Sequence, residues 1–234
     1  MDDTQPAEVL AELATLRRRV KADRYGYWFP LLVFGVLIAA ATPLYIAPEL
    51  PTTPGGQLAY SSQPDSERAG LYWLAALVAG GLLTVWWYRR RGRRIGLPRA
   101  GMLAVLTAVL AVAVAAVVQY AAMAFPPLSW LTLVVGRGYE ATLVIAAGLI
   151  ALAWFERSVA LAGISAVYAA AALLASLYNV ENVLFDLGWD PVSAHPDQLR
   201  LVALPNLLLP ALVLLLAGSV TGLTALVRRR RVPV

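Results

Sequence analysis

Four stretches of this sequence, residues 27–47, 70–88, 101–123 and 158–178, contain no charged side chain. Each is close to the roughly 20 apolar residues that a helix needs to cross a bilayer. Inside hydrocarbon every backbone N–H and C=O must be paired within the protein, which leaves helices and closed barrels as spanning structures, and runs this long suit helices. Two further runs are less regular. Residues 138–155 carry Glu140 near one end, with the apolar stretch 128–135 either extending this run or forming a half-helix before it. Residues 201–227 exceed one crossing and hold Pro205, Asn206 and Pro210 in their first half. The expected fold is all-α: a polytopic six-helix transmembrane bundle over 25–227, preceded by a cytoplasmic amphipathic helix over 1–24 and followed by a basic tail over 228–234.

Composition excludes the alternatives. A chain 60% hydrophobic and 14% charged, with mean hydropathy +0.68, is neither a water-soluble domain nor a disordered one. It has no cysteine, so disulfide scaffolds and thiol chemistry are out. Basic residues before the first run, and the alanines at 39–41, mimic a secretory signal. The preceding segment is long and acidic at its start, however, and the run exceeds a signal's apolar core, so no leader is expected.

Orientation follows from the basic residues, which cytoplasmic loops retain. Sixteen of nineteen fall on one side: Arg17, Arg18, Arg19, Lys21 and Arg24; Arg89, Arg90, Arg91, Arg93, Arg94 and Arg99; Arg157; and the arginines at 228–231. Only Arg68, Arg137 and Arg200 fall on the other, together with Glu49, Asp65, Glu67, Glu181, Asp186, Asp190 and Asp197. Both termini are therefore expected in the cytoplasm. Tyr25, Tyr27, Trp28, Trp86, Trp87, Tyr88, Trp154 and Phe155 would form an aromatic belt on that side.

Outside the runs, residues 4–24 read as a helix, with Thr4 as cap, Pro6 in the first turn, and acidic residues ahead of basic ones as the helix dipole favours. Val9, Leu13, Leu16 and Val20 share one face, which either lies on the membrane or on the protein's own cytoplasmic face, or docks a soluble partner. The loop 89–99 carries six arginines, suited to anionic lipid headgroups. No aromatic residue is interleaved with them, which argues against direct nucleic-acid binding. Residues 48–69 should be irregular, and the last outer loop, 179–200, has room for a short surface helix at 180–187.

Chemistry is sparse. No metalloprotease, serine-hydrolase, P-loop or dinucleotide motif occurs, and the chain has one histidine and one lysine, so no catalytic residue and no cofactor is expected. Asp186, Asp190, His195, Asp197 and nearby Glu181 contain donors for a divalent cation, but their irregular spacing favours a solvated acidic loop. Polar groups within the runs say more, because an ionisable residue at depth faces a partner or a cavity. Arg137 and Glu140 would pair on one helix face if the helix begins before Gly136; otherwise Gly136 and Gly138 leave both at the interface. Asn206 between Pro205 and Pro210 would lie where the sixth helix kinks or opens, as in transporter sites, or simply packs. Gly218 and Gly222 form a GxxxG pair for close helix approach, either within the bundle or between two copies, and Ala162, Ala166, Ala169 and Ser176 smooth the fifth run.

The alanine- and arginine-rich, lysine-poor composition, with the segments LAWFER at 152–157 and LLASLYNVEN at 173–182, resembles integral membrane proteins of high-GC actinobacteria. That resemblance implies a bacterial plasma membrane and the company of a cytoplasmic winged-helix regulator or an ABC ATPase. Two functions compete. One is a non-enzymatic membrane component that docks or regulates such a partner through its basic cytoplasmic face. The other is a small permease or transporter subunit with a site near the interrupted sixth helix. The runs carry few polar groups and the two halves show no internal repeat, which favours the first. An enzyme acting on lipid would lack catalytic residues.

Overall fold

The computed structural model describes residues 26–46, 66–95, 139–188, 201 and 203–230. Six α-helices account for most of them, and no strand occurs among the described residues. They are α1 (Trp28–Ala40), α2 (Ser66–Ile95), α3 (Glu140–Glu156), α4 (Val159–Leu177), the short α5 (Val180–Asp186) and α6 (Leu204–Arg230). α1 stops short of its expected end because Pro43 cannot extend the hydrogen-bond ladder. The Thr42 hydroxyl takes up the Ala39 carbonyl at 2.7 Å, and a 3-10 turn, Thr42–Tyr45, finishes the segment.

Four segments, Trp28–Tyr45, Arg68–Arg91, Val159–Leu177 and Leu204–Val227, are long and apolar enough to cross a membrane. Leu71, Leu74, Val78 and Leu82 on α2, and Leu208, Leu212, Leu216 and Leu223 on α6, are turned outward in the way a lipid environment rewards. The expected fourth crossing is the 17-residue α3, and the expected third, 101–123, lies outside the described residues.

The most extensive packing joins α1 to α6. Glycines make it close. A Cβ on Gly35 would stand 3.1 Å from the Leu215 backbone nitrogen, and one on Gly218 3.0 Å from that of Leu32. Gly222 faces the Trp28 ring. Of the two uses open to the GxxxG pair, packing within the bundle is the one seen, since α1 of the same chain covers this face. α4 joins α3 and α6, while α2 lies on α1 and barely touches α3.

The helices share two ends. At one, the Trp87 indole donates to the Gly26 carbonyl at 3.0 Å, Phe29 stacks on Trp87 with centroids 4.5 Å apart, and the Tyr88 hydroxyl donates to Glu156. Arg89, Arg90 and Arg157 lie at this end, and α6 runs toward it into Arg230. The expected aromatic belt is corrected here: Tyr27 and Tyr88 are core residues, and Trp154 and Trp86 remain exposed. The loop expected at 89–99 is partly helix, because α2 continues to Ile95. α2 ends and α3 begins at opposite ends of the bundle.

Candidate functional site

At the end opposite the arginines, polar side chains from separate elements meet. Pro205 occupies the first turn of α6, where its missing N–H costs nothing, and sets Asn206 into the interior. Between α4 and α5 the chain reverses at Asn179, whose φ of 68° with ψ of 135° is a backbone conformation that residues with a side chain rarely adopt. That reversal aims the Val180 N–H at Asn206. The Asn206 Oδ1 accepts from Val180 N at 2.6 Å, and its Nδ2 donates to Glu181 Oε2 at 2.6 Å and to the Tyr139 hydroxyl at 3.1 Å. Both amide hydrogens and the carbonyl oxygen are used.

The knot extends outward from Tyr139. Its ring stacks on Tyr45, centroids 5.5 Å apart, and the Tyr45 hydroxyl accepts from the Trp73 indole at 2.9 Å. The Thr142 hydroxyl donates to the Tyr139 carbonyl at 2.6 Å, and Tyr168 donates to the Thr142 carbonyl at 3.0 Å. Tyr139 is 1% exposed and Glu181 and Asn206 are fully buried, so no polar group of this trio is offered to water. Through these bonds Asn206 ties the start of α5 and the residue before α3 to α6, and buried polar bonds of this kind hold the elements they join in one arrangement.

Several expectations change. Glu181 was expected in a solvated acidic loop; instead it is enclosed, because α5 packs on α6 and turns it toward Asn206. Its neighbour Asp186 is exposed and accepts from Tyr178 at 3.2 Å. Asp190, His195 and Asp197 lie outside the described residues, and no cluster of three metal-ligating side chains occurs among those described. α6 is not interrupted: Pro210 sits buried inside a continuous helix, and Asn206 is engaged by Val180, Glu181 and Tyr139. Glu140 is half-buried as the first residue of α3, near enough to Tyr45 to act on it electrostatically. Tyr139 before it is not helical, and Arg137 lies outside the described residues.

At the arginine end, Arg89 and Arg90 are exposed, with Arg90 over the Trp86 ring at 5.3 Å, while Arg91 is half-buried against Gly26. Arg93 and Arg94 continue the helical backbone of α2. Val9, Leu13, Leu16 and Val20 lie outside the described residues. Neither family models, curated proteins nor solved structures give a match to this chain. The residues that sequence reasoning missed are Tyr45, Trp73 and Tyr139. The one signal for them was Asn206, a lone amide in an apolar run, which required partners from elsewhere in the chain.

Proposed function

We propose that the chain is a non-enzymatic, six-span integral membrane protein of a bacterial plasma membrane that docks or regulates a cytoplasmic protein through its arginine-bearing end. The observation that carries this reading is that α2 outruns its apolar segment. Its 30 residues extend about 45 Å at 1.5 Å per residue, against a hydrocarbon thickness of about 30 Å, and the surplus carries arginines. α6 likewise continues to Arg230 at the same end. Two basic helical projections at one end of the bundle suit an acidic protein surface as well as the anionic headgroups beneath it. A transcription regulator or an ABC ATPase is the partner class, and the stripe Val9, Leu13, Leu16 and Val20 supplies the apolar part of the contact.

The test is quantitative affinity purification from native membrane. Deleting residues 1–20, or changing Leu13 and Leu16 to Asp, should leave the protein inserted and reduce recovery of one soluble partner about tenfold or more. Changing Arg89, Arg90, Arg93 and Arg94 together to Gln should do the same and flatten the salt dependence of what binding remains. Partner recovery untouched by all three changes refutes docking and leaves the basic end as a membrane-orienting feature.

A further inference from the structure

The hairpin between α3 and α4 encloses a groove of about 660 Å³ that neither the buried knot nor the basic projections use. Its walls are apolar: Ile150, Ala153 and Trp154 from α3, and Val159, Ala162 and Ala166 from α4. Its mouth, at the arginine end, is cationic. Arg157 stands there in the left-handed region, φ 50°, exposed, with no ion pair or hydrogen bond from its side chain among the described residues. The Ser158 hydroxyl caps α4 by accepting from Leu161 N at 3.3 Å, so the positive end of that helix opens at the same mouth.

A second observation lies deeper. Ser165 is fully buried, lines the groove, and its hydroxyl has no hydrogen-bond partner among the described residues. Buried hydroxyls are seldom left so, and one facing a groove is a donor awaiting an acceptor. Trp154 and Val159, 81% and 88% exposed, form the rim, at the level where an indole suits the headgroup zone.

We propose that this groove binds one membrane phospholipid with an anionic headgroup, its phosphate on Arg157 and the α4 N-terminus, an ester carbonyl on Ser165, and an acyl chain along the apolar wall. The order of features along the groove matches the order along the lipid. Ser165 is seven residues beyond the capping Ser158, about 10 Å along the helix, so the hydroxyl lies below the head and beside the upper part of the lipid. The volume falls within the range of roughly 300–1,000 Å³ of small-molecule sites.

The purified protein, incorporated into nanodiscs of phosphatidylcholine with one-fifth phosphatidylglycerol, is washed by detergent exchange, and retained lipid is counted by native mass spectrometry. The expected result is one phosphatidylglycerol per chain. Arg157→Gln should lower its retention about tenfold and Arg157→Lys less, since charge survives but the fork of donors does not. Ala166→Trp, which plugs the groove without touching the cation, should abolish retention, and Ala162→Leu serves as a second plug if the indole prevents folding. Three outcomes overturn the proposal: equal retention of phosphatidylcholine; loss in Arg157→Gln with none in either plugged variant, which would mean surface charge alone; or a disulfide between Ala166→Cys and a cysteine placed in 101–123, which would seat the chain's own apolar run in the groove.

Discussion

Asn206 shows how much one side chain can fasten. It joins α6 to the start of α5 through Val180 and Glu181, and to the residue before α3 through Tyr139. Asn206→Leu keeps the volume and removes every bond, leaving the Val180 N–H and the Glu181 carboxyl without their amide in a dry interior. Because an orphaned buried polar group costs about 1–3 kcal/mol, and more when charged, this variant should lose roughly 3 kcal/mol. Tyr139→Phe removes the hydroxyl that accepts from Asn206 at 3.1 Å but leaves the amide's bonds to Val180 and Glu181 and the stack on Tyr45, so a smaller loss of about 1–2 kcal/mol is expected. Thermal unfolding in one detergent, with the two variants compared directly, measures both. Equal losses would mean that the hydroxyl, not the amide, organises the knot. The importance of Asn206 was legible in the sequence because an amide stood alone in an apolar run. Its partners were not. Glu181 reads as a loop acid until the reversal at Asn179 turns it inward, and that backbone conformation leaves no mark beyond the identity of Asn179 itself.

At the scale of the helices, contact distance separates glycines that a list of motifs treats alike. Gly218 lies against the backbone of Leu32, whereas a Cβ on Gly163 would meet nothing within 4 Å. Gly218→Ala should therefore destabilise by about 1–3 kcal/mol, as overpacking does, because a backbone atom cannot turn aside. Gly163→Ala should be neutral or stabilising by up to about 1 kcal/mol, the helix-propensity difference. Unfolding of the two variants side by side checks the contrast, and a tolerated Gly218→Ala would show that α1 and α6 can move apart freely. Helix positions were well marked in the sequence, since apolar runs ended by charge locate α1, α2, α4 and α6 to within a few residues at most ends. The exceptions have local causes: Pro43 shortens α1, and α2 overruns because arginine is a good helix former and does not stop a helix.

For the whole molecule, the two described ends of the chain, Gly26 and Arg230, lie at the same end of the bundle, and the charge asymmetry makes that end cytoplasmic in the reading proposed above. The sequence contains no cysteine, so introduced ones report without background. Leu187→Cys, 77% exposed beyond α5, should react with an impermeant thiol reagent in intact cells, and Arg90→Cys only after permeabilisation. The opposite pattern would invert the proposed topology.

Gly35 and Gly218, which hold the most extensive helix contact, stand 183 residues apart in the chain. During synthesis at roughly 5–20 residues per second, the glycine face of α1 enters the membrane and then waits on the order of 10–40 seconds for its mate. For that interval the nascent bundle carries its smoothest surface uncovered, open to any other helix in the bilayer. α6 is made long after α1 and closes its glycine face, so a chain cut before α6 forfeits that seam however many crossings it has completed.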